Sequence, residues 1–244
     1  MKSIHLPLSE ITKSKNMKTL QLTLLVLVLA SFIGCTKEPS ASVAQEKIHT
    51  TYELFYDKNT DKTTVKAWFR FSNATGTLLQ LSQPSDVRFN NEPLVFDSLF
   101  AYYKKEYSGS IQSGTIVFTD INNKVFQNTL QLPKPVAFPE NFTTVSKSAS
   151  YTLSWLGDPV GQNEAVGIGM GSASAISGNL FNQPGAGATS IILEANKLQS
   201  IATTNGQVIC VMDRYTLNQP QQAPAAGGVV KGTYRTLNKT ITLQ

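Results

Sequence analysis

Val65-Lys66-Ala67-Trp68-Phe69-Arg70-Phe71 decides the fold class. Val65, Ala67, Phe69 and Phe71 recur with period two, so in an extended chain they share one side while Lys66, Trp68 and Arg70 take the other. β-branched and aromatic residues suit a pleated surface, and the segment reads as a half-buried strand. Upstream, Tyr52-Glu53-Leu54-Phe55-Tyr56 runs into the polar turn Asp57-Lys58-Asn59-Thr60-Asp61-Lys62, which predicts a hairpin. Downstream, Ser72-Asn73-Ala74-Thr75-Gly76 breaks the alternation. Short strands are then expected at Leu78–Leu81, Val87–Phe89, Leu94–Leu99, Ala101–Tyr107, Thr115–Thr119 and Lys124–Leu132. Turn residues at about every 8–12 positions give the rhythm of a β-sandwich over residues 48–132.

Pro133-Lys134-Pro135-Val136-Ala137-Phe138-Pro139 carries three prolines, which favours an extended spacer, so a linker is expected at 133–140. Residues 141–244 restart the same grammar, with strands expected at Tyr151–Trp155, Ala165–Met170, Ile191–Leu193, Gln199–Thr203, Gln207–Met212 and Lys239–Leu243. Gln219–Gly228 is a polar Pro/Gly loop, long enough to imply disorder or binding. The expected architecture is all-β, with two tandem β-sandwich domains.

At the N-terminus, the apolar run Leu20–Ile33 follows Lys18 and ends in Gly34-Cys35. It falls short of the roughly 20 apolar residues a membrane-spanning helix needs and has the length of a secretory core. Phe32-Ile33-Gly34-Cys35 resembles a relaxed bacterial lipoprotein box of the kind common in the Bacteroidota. The resemblance implies removal of residues 1–34, a diacylglyceryl thioether on Cys35 and a membrane partner reached through that anchor. Met17 precedes the positive flank directly and is the expected start. Residues 35–47 are then a lipidated, flexible tether. Lys37-Glu38 is similar to the charged export signals of flavobacterial lipoproteins, which implies the outer membrane and its outer surface.

The order of turns over residues 48–132, including Val87-Arg88-Phe89-Asn90-Asn91-Glu92-Pro93-Leu94 and Gly114-Thr115-Ile116-Val117-Phe118-Thr119-Asp120, resembles the Ig-like sandwiches of Bacteroidota surface lipoproteins. It covers about a third of the chain and implies Ig-like domains, not an activity.

Charge narrows the function. The 244 residues hold 21 Lys+Arg and 16 Asp+Glu, a formal charge of +5. Cleavage before Cys35 removes Lys2, Lys13, Lys15, Lys18 and Glu10, leaving 17 basic against 15 acidic residues. The basicity belongs mostly to the targeting segment, and a nucleic-acid partner loses its support. Two His and two Cys are too few for an ordinary zinc site, and no other metal or cofactor is called for. Asp57, Asn59 and Asp61 open like a calcium loop, but Lys62 and Trp68 stand where Gly and Glu are required, so a hairpin turn explains them. His49 has no nucleophile elbow to serve. Gly167-Ile168-Gly169-Met170-Gly171 lacks the Lys-Ser/Thr of a phosphate loop and reads as close packing or a bulge. Cys210, among Val208, Ile209, Val211 and Met212, reads as a small buried hydrophobe.

Tyr102, Tyr103 and Tyr107 beside Lys104 and Lys105 are the candidate binding residues, since exposed aromatics next to cations stack on sugars or dock proteins. Alternation assigns half of such tyrosines to the core. Asp97-Ser98-Leu99 is similar to a Bacteroidota O-glycosylation motif, with Ser98 as acceptor. The expected protein is a non-enzymatic binding or assembly module of the envelope, such as an accessory subunit of an outer-membrane protein complex. A surface glycan-binding protein using Tyr102, Tyr103 or Trp68 is the second expectation, and an enzyme with an unrecognised carboxylate site the third.

Overall fold

Alternating strands build the body of the protein. The computed structural model describes residues 37–172, 175–176 and 180–244. The expected signal segment, the expected start at Met17 and Cys35 lie outside the described residues. In chain order the main strands are β1 (Ile48–Asp57), β2 (Lys62–Phe71), β3 (Asp86–Phe89), β4 (Val95–Asp97), β5 (Tyr102–Ser108), β6 (Ser113–Thr119), β7 (Val125–Gln131), β8 (Glu164–Ser172), β9 (Gln207–Asn218), β10 (Gly228–Arg235) and β11 (Lys239–Leu243), with a short helix, α1 (Ala195–Ser200), before β9.

A large sheet runs from Phe181–Pro184 through β8, β9, β10, β1, β2 and β5 to β4. β10 and β11 lie successively along one edge of β9, while β8 pairs with its other edge. A second, antiparallel sheet of β7, β6, β3 and Glu92–Pro93 packs on the inner face of the first. Period-two alternation places Tyr52, Leu54, Val65, Ala67 and Phe69 inward, where they are buried. Phe69 meets Phe118 of the second sheet at 4.7 Å between ring centres, and Phe89 meets Tyr107 at 5.9 Å. Further along, the pair Tyr151–Ser154 and Ser190–Leu193 contributes Leu153, Ile191 and Leu193 to the same continuous core.

The protein is all-β, as the alternation predicts. The tandem arrangement is corrected: β1 pairs in parallel with β10, Thr50 opposite Gly228 through Asp57 opposite Arg235. Segments 48–132 and 141–244 therefore share one sheet, and residues 37–244 form one compact unit. The expected linker is corrected too. Val136 and Ala137 pair with Gly157 and Leu156, and Val136 and Phe138 are buried, because the stretch between Pro135 and Pro139 carries apolar side chains that the core takes up. The described part of the tether is likewise ordered: Glu38 and Pro39 lie beside Leu79 and Gln80, Ser40 is fully buried, and Gln45 donates to the Ser40 carbonyl at 2.8 Å.

β10 is absent from the sequence expectations, because Gly228 and Gly232 look like breakers. Both are demanded by close approach. A Cβ on Gly232 would stand 1.9 Å from the Gln131 carbonyl of the second sheet, and one on Gly228 would stand 2.4 Å from the Thr50 carbonyl. The strand expected at Gln199–Thr203 is instead the end of α1 and a coil. The glycines of Gly167–Gly171 fall mid-strand in β8, where Ile168 and Met170 alternate into the core.

The loop between β9 and β10 has a definite job. β7 is the free edge of the second sheet. Its outward N–H groups at Gln127 and Thr129 donate to the side-chain oxygens of Gln222 (2.9 Å) and Gln221 (2.7 Å), while Asn128 exchanges hydrogen bonds with the Gln222 backbone. The loop covers an edge that would otherwise be open to another chain.

Candidate functional site

The opposite alternation phase of the large sheet forms its outer face. The register sets Trp68, Thr51 and Val229 in one row across β2, β1 and β10. Lys66, Glu53, Lys231 and Leu217 form the next row, followed by Thr64, Phe55, Thr233 and Tyr215. Phe55, Trp68, Tyr102 and Tyr215 are half-exposed and Leu217 is exposed. A shallow groove of about 370 Å³ lies along this face between Trp68, Arg70, Leu217 and Lys231.

Charge is organised around a buried carboxylate. Glu53 Oε1 lies 2.9 Å from Lys231 Nζ and accepts from Thr233 Oγ1 at 3.2 Å, and Oε2 lies 3.5 Å from Lys66 Nζ. Burial pushes the Glu53 carboxyl up, but the Lys231 and Lys66 charges with the hydrogen bonds outweigh it and hold the group below its ordinary value. Arg235 grips Asp213 with two bonds of 2.8 Å each, which raises the guanidinium further. The two cations Lys66 and Arg235 sit over the Phe55 ring at 5.1 and 5.0 Å, and Lys231 sits over Tyr215 at 5.6 Å. Tyr215 in turn donates to Asn182 at 2.8 Å. The result is a set of aromatic rings whose orientation is fixed by pinned cations. Such a surface loses little side-chain freedom when something docks on it. A Glu53 held ionised is a poor proton donor, so this cluster suits recognition rather than general acid chemistry.

The three candidate tyrosines separate. Tyr102 is on the outer face, half-exposed, its ring 5.2 Å from Trp68 and 5.7 Å from Phe100. Tyr103 is corrected to a core residue: it stands opposite Ala67, faces Phe69 and Phe96, and its hydroxyl accepts the Leu81 N–H at 2.8 Å. Tyr107 shares that inward phase and packs on Phe89, and burial with the nearby Glu92 carboxylate pushes its hydroxyl up to about 12. Ser98 is exposed at the tip of the β4–β5 hairpin. The Asp57–Asp61 segment is a hairpin turn, with Asp57 Oδ1 accepting the Asn59 N–H at 2.9 Å and Asp61 at positive φ. His49 is buried beside Arg70, and desolvation together with that charge lowers its pKa. Among the described residues no group of three or more His, Cys, Asp or Glu is placed to hold a metal ion.

Phe55, Tyr215, Lys231 and Arg235 are absent from the sequence-based candidates. Extending the strand at Gln207–Met212 through Asp213-Arg214-Tyr215 would have found Tyr215. Both charges of that extension have partners: Asp213 in Arg235 on the outside and Arg214 in Glu164 on the inside. A second concavity, about 500 Å³, lies between β7, β9, β10 and the covering loop, lined by Thr129, Gln131, Glu164, Asn218, Gln219 and Gln221. It is polar and has no aromatic wall.

A scan against protein-family models finds no match, and a search of curated proteins finds no relative.

Proposed function

We propose that the protein is an outer-membrane lipoprotein, anchored through Cys35, that acts as a non-enzymatic binding module and receives a protein partner on the outer face of its large sheet, as an accessory subunit of an envelope complex does. One observation carries the reading: on that face the half-exposed rings of Phe55 and Tyr215 and the exposed Leu217 stand beside Lys66, Lys231 and Arg235, the mixture of aromatic and guanidinium groups that anchors protein interfaces. A glycan fits less well. Sugars stack on flat ring faces, whereas Trp68 and Tyr102 are tilted by 56° to each other and Tyr103 is buried.

The test is affinity purification of the full chain from native membranes, with the wild type compared against Phe55→Ala/Lys231→Glu. A protein that accompanies the wild type in fixed proportion and is lost from the variant supports the reading. A wild type that emerges alone while binding specifically to a glycan array sinks it. For the anchor, Cys35→Ala should move the protein into the soluble fraction; continued tight attachment refutes lipidation.

A further inference from the structure

The β4–β5 hairpin ends in a turn that presents large apolar side chains to solvent: Leu99 is 81% exposed and Phe100 58%, with Val95 of the same edge strand 70% exposed. The turn is rigid. Asp97 Oδ1 accepts the N–H groups of Leu99 (3.0 Å) and Phe100 (3.3 Å), and Ala101 takes a positive φ of 53°. Neither side chain is in the core. Phe100 stacks on Tyr102, and Tyr102 packs on Trp68. Rings with one polar end belong at the level of lipid headgroups.

The start of the described chain is fastened to this turn. Lys37 Nζ donates to the Ser98 carbonyl and lies 5.3 Å from the centre of the Phe96 ring. Cys35 is two residues upstream, and two residues span at most about 7 Å. Acyl chains on Cys35 therefore hold Lys37, and with it the turn, against the membrane. From these placements we infer that the β4–β5 turn is a second membrane contact, with Leu99 and Phe100 entering the headgroup–acyl boundary beside the anchored N-terminus. The inference rests on the Cys35 anchor proposed above. It adds an orientation: the large sheet stands with its hairpin end toward the bilayer and its outer face turned along the membrane.

The full-length chain can be tested in vesicles of phosphatidylethanolamine and phosphatidylglycerol. Leu99→Cys would carry an environment-sensitive fluorophore. The label goes to the introduced residue alone, because Cys210 is fully buried with its thiol pushed up to about 12, and a thioether-linked Cys35 has no free thiol. Leu237→Cys is the comparison. Leu237 is 52% exposed just beyond Arg235, which pairs with Asp57 at the far end of β1, about 30 Å along the strand from Ile48. At 99 the emission should shift to the blue and be quenched by spin-labelled lipid; at 237 it should do neither. A chain that stays on the vesicles while the 99 probe remains solvent-like and unquenched overturns the contact and leaves the anchor standing. A wild-type chain whose Cys35 accepts the label and which washes off the vesicles overturns the anchor and the contact together.

Discussion

Replacing Arg214 by Met should destabilise the protein by about 3–5 kcal/mol, because it removes one partner of a buried ion pair and strands the other. Arg214 is 2% exposed on the core face of β9. Its guanidinium donates from Nε (3.1 Å) and Nη2 to Glu164 Oε2, from Nη1 to the Asp158 carbonyl at 3.0 Å, and from Nη2 to the Pro159 carbonyl at 2.8 Å. The Glu164 side chain is only 15% exposed, so water compensates poorly for the lost cation. Replacing both partners, as Arg214→Met/Glu164→Leu, removes the stranded charge and should recover all but about 1–2 kcal/mol, because the Pro159 carbonyl loses its donor and the Gly161 N–H, which donates to Glu164 Oε2 at 2.7 Å, loses its acceptor. The assay is urea unfolding of the Cys35→Ala chain, followed by fluorescence. Trp155 reports the site directly, since its Nε1 points at the same Asp158 carbonyl at 3.4 Å. A loss below about 1 kcal/mol for the single variant, or a double variant no better than the single, would refute the account of a buried, mutually dependent pair.

Gly232→Val should cost about 1–3 kcal/mol by forcing the two sheets apart where a Cβ would meet the Gln131 carbonyl; an unchanged Tm would contradict that approach. Glu53 has a folded pKa below its ordinary value of 4.5, so its contribution is full above that value and disappears as pH falls through the lower folded one. Urea midpoints for wild type and Glu53→Gln should therefore differ at pH 7 and converge in acid, and a constant gap would exclude the linkage. Gln221→Ala/Gln222→Ala should leave the Gln127 and Thr129 amides exchanging hydrogen about fivefold faster or more, at about 1 kcal/mol per lost bond, and should increase self-association through β7. Unaltered exchange at those amides would mean that the loop does not guard the edge.

The strands most legible in the sequence are those with one face in the core and one outside. β2 and β7 alternate cleanly between buried and open positions, so period two alone finds them. β8 is nearly continuous in its burial, and β10 carries glycines where other backbones press close, so neither displays a simple alternation. Sheet membership is harder still. Nothing in residues 48–57 specifies that their second neighbour is residues 228–235, because a parallel partner leaves no turn between the two in sequence. The prolines of 133–139 advertised a spacer, but their intervening Val136 and Phe138 found core positions. For the proposed binding face, alternation requires that Tyr102 and Tyr103 point oppositely. Only the pairing of Tyr103 with Ala67 determines which of them is outside.

The pairing of β1 with β10 also governs timing. In a chain delivered N-terminus first, β1 is among the earliest segments to emerge, yet its partner at Gly228–Arg235 follows nearly the whole protein later. Until then β1 is a strand with one satisfied side, and Tyr52, Leu54 and Tyr56 have only part of their final covering. Folding weighted toward such distant contacts is slow and leaves strand edges open to strangers. A chain built this way depends on β1 being kept from other partners until its last strands arrive. A stop codon anywhere before residue 228 would then remove the seam that closes the sheet, not merely a tail.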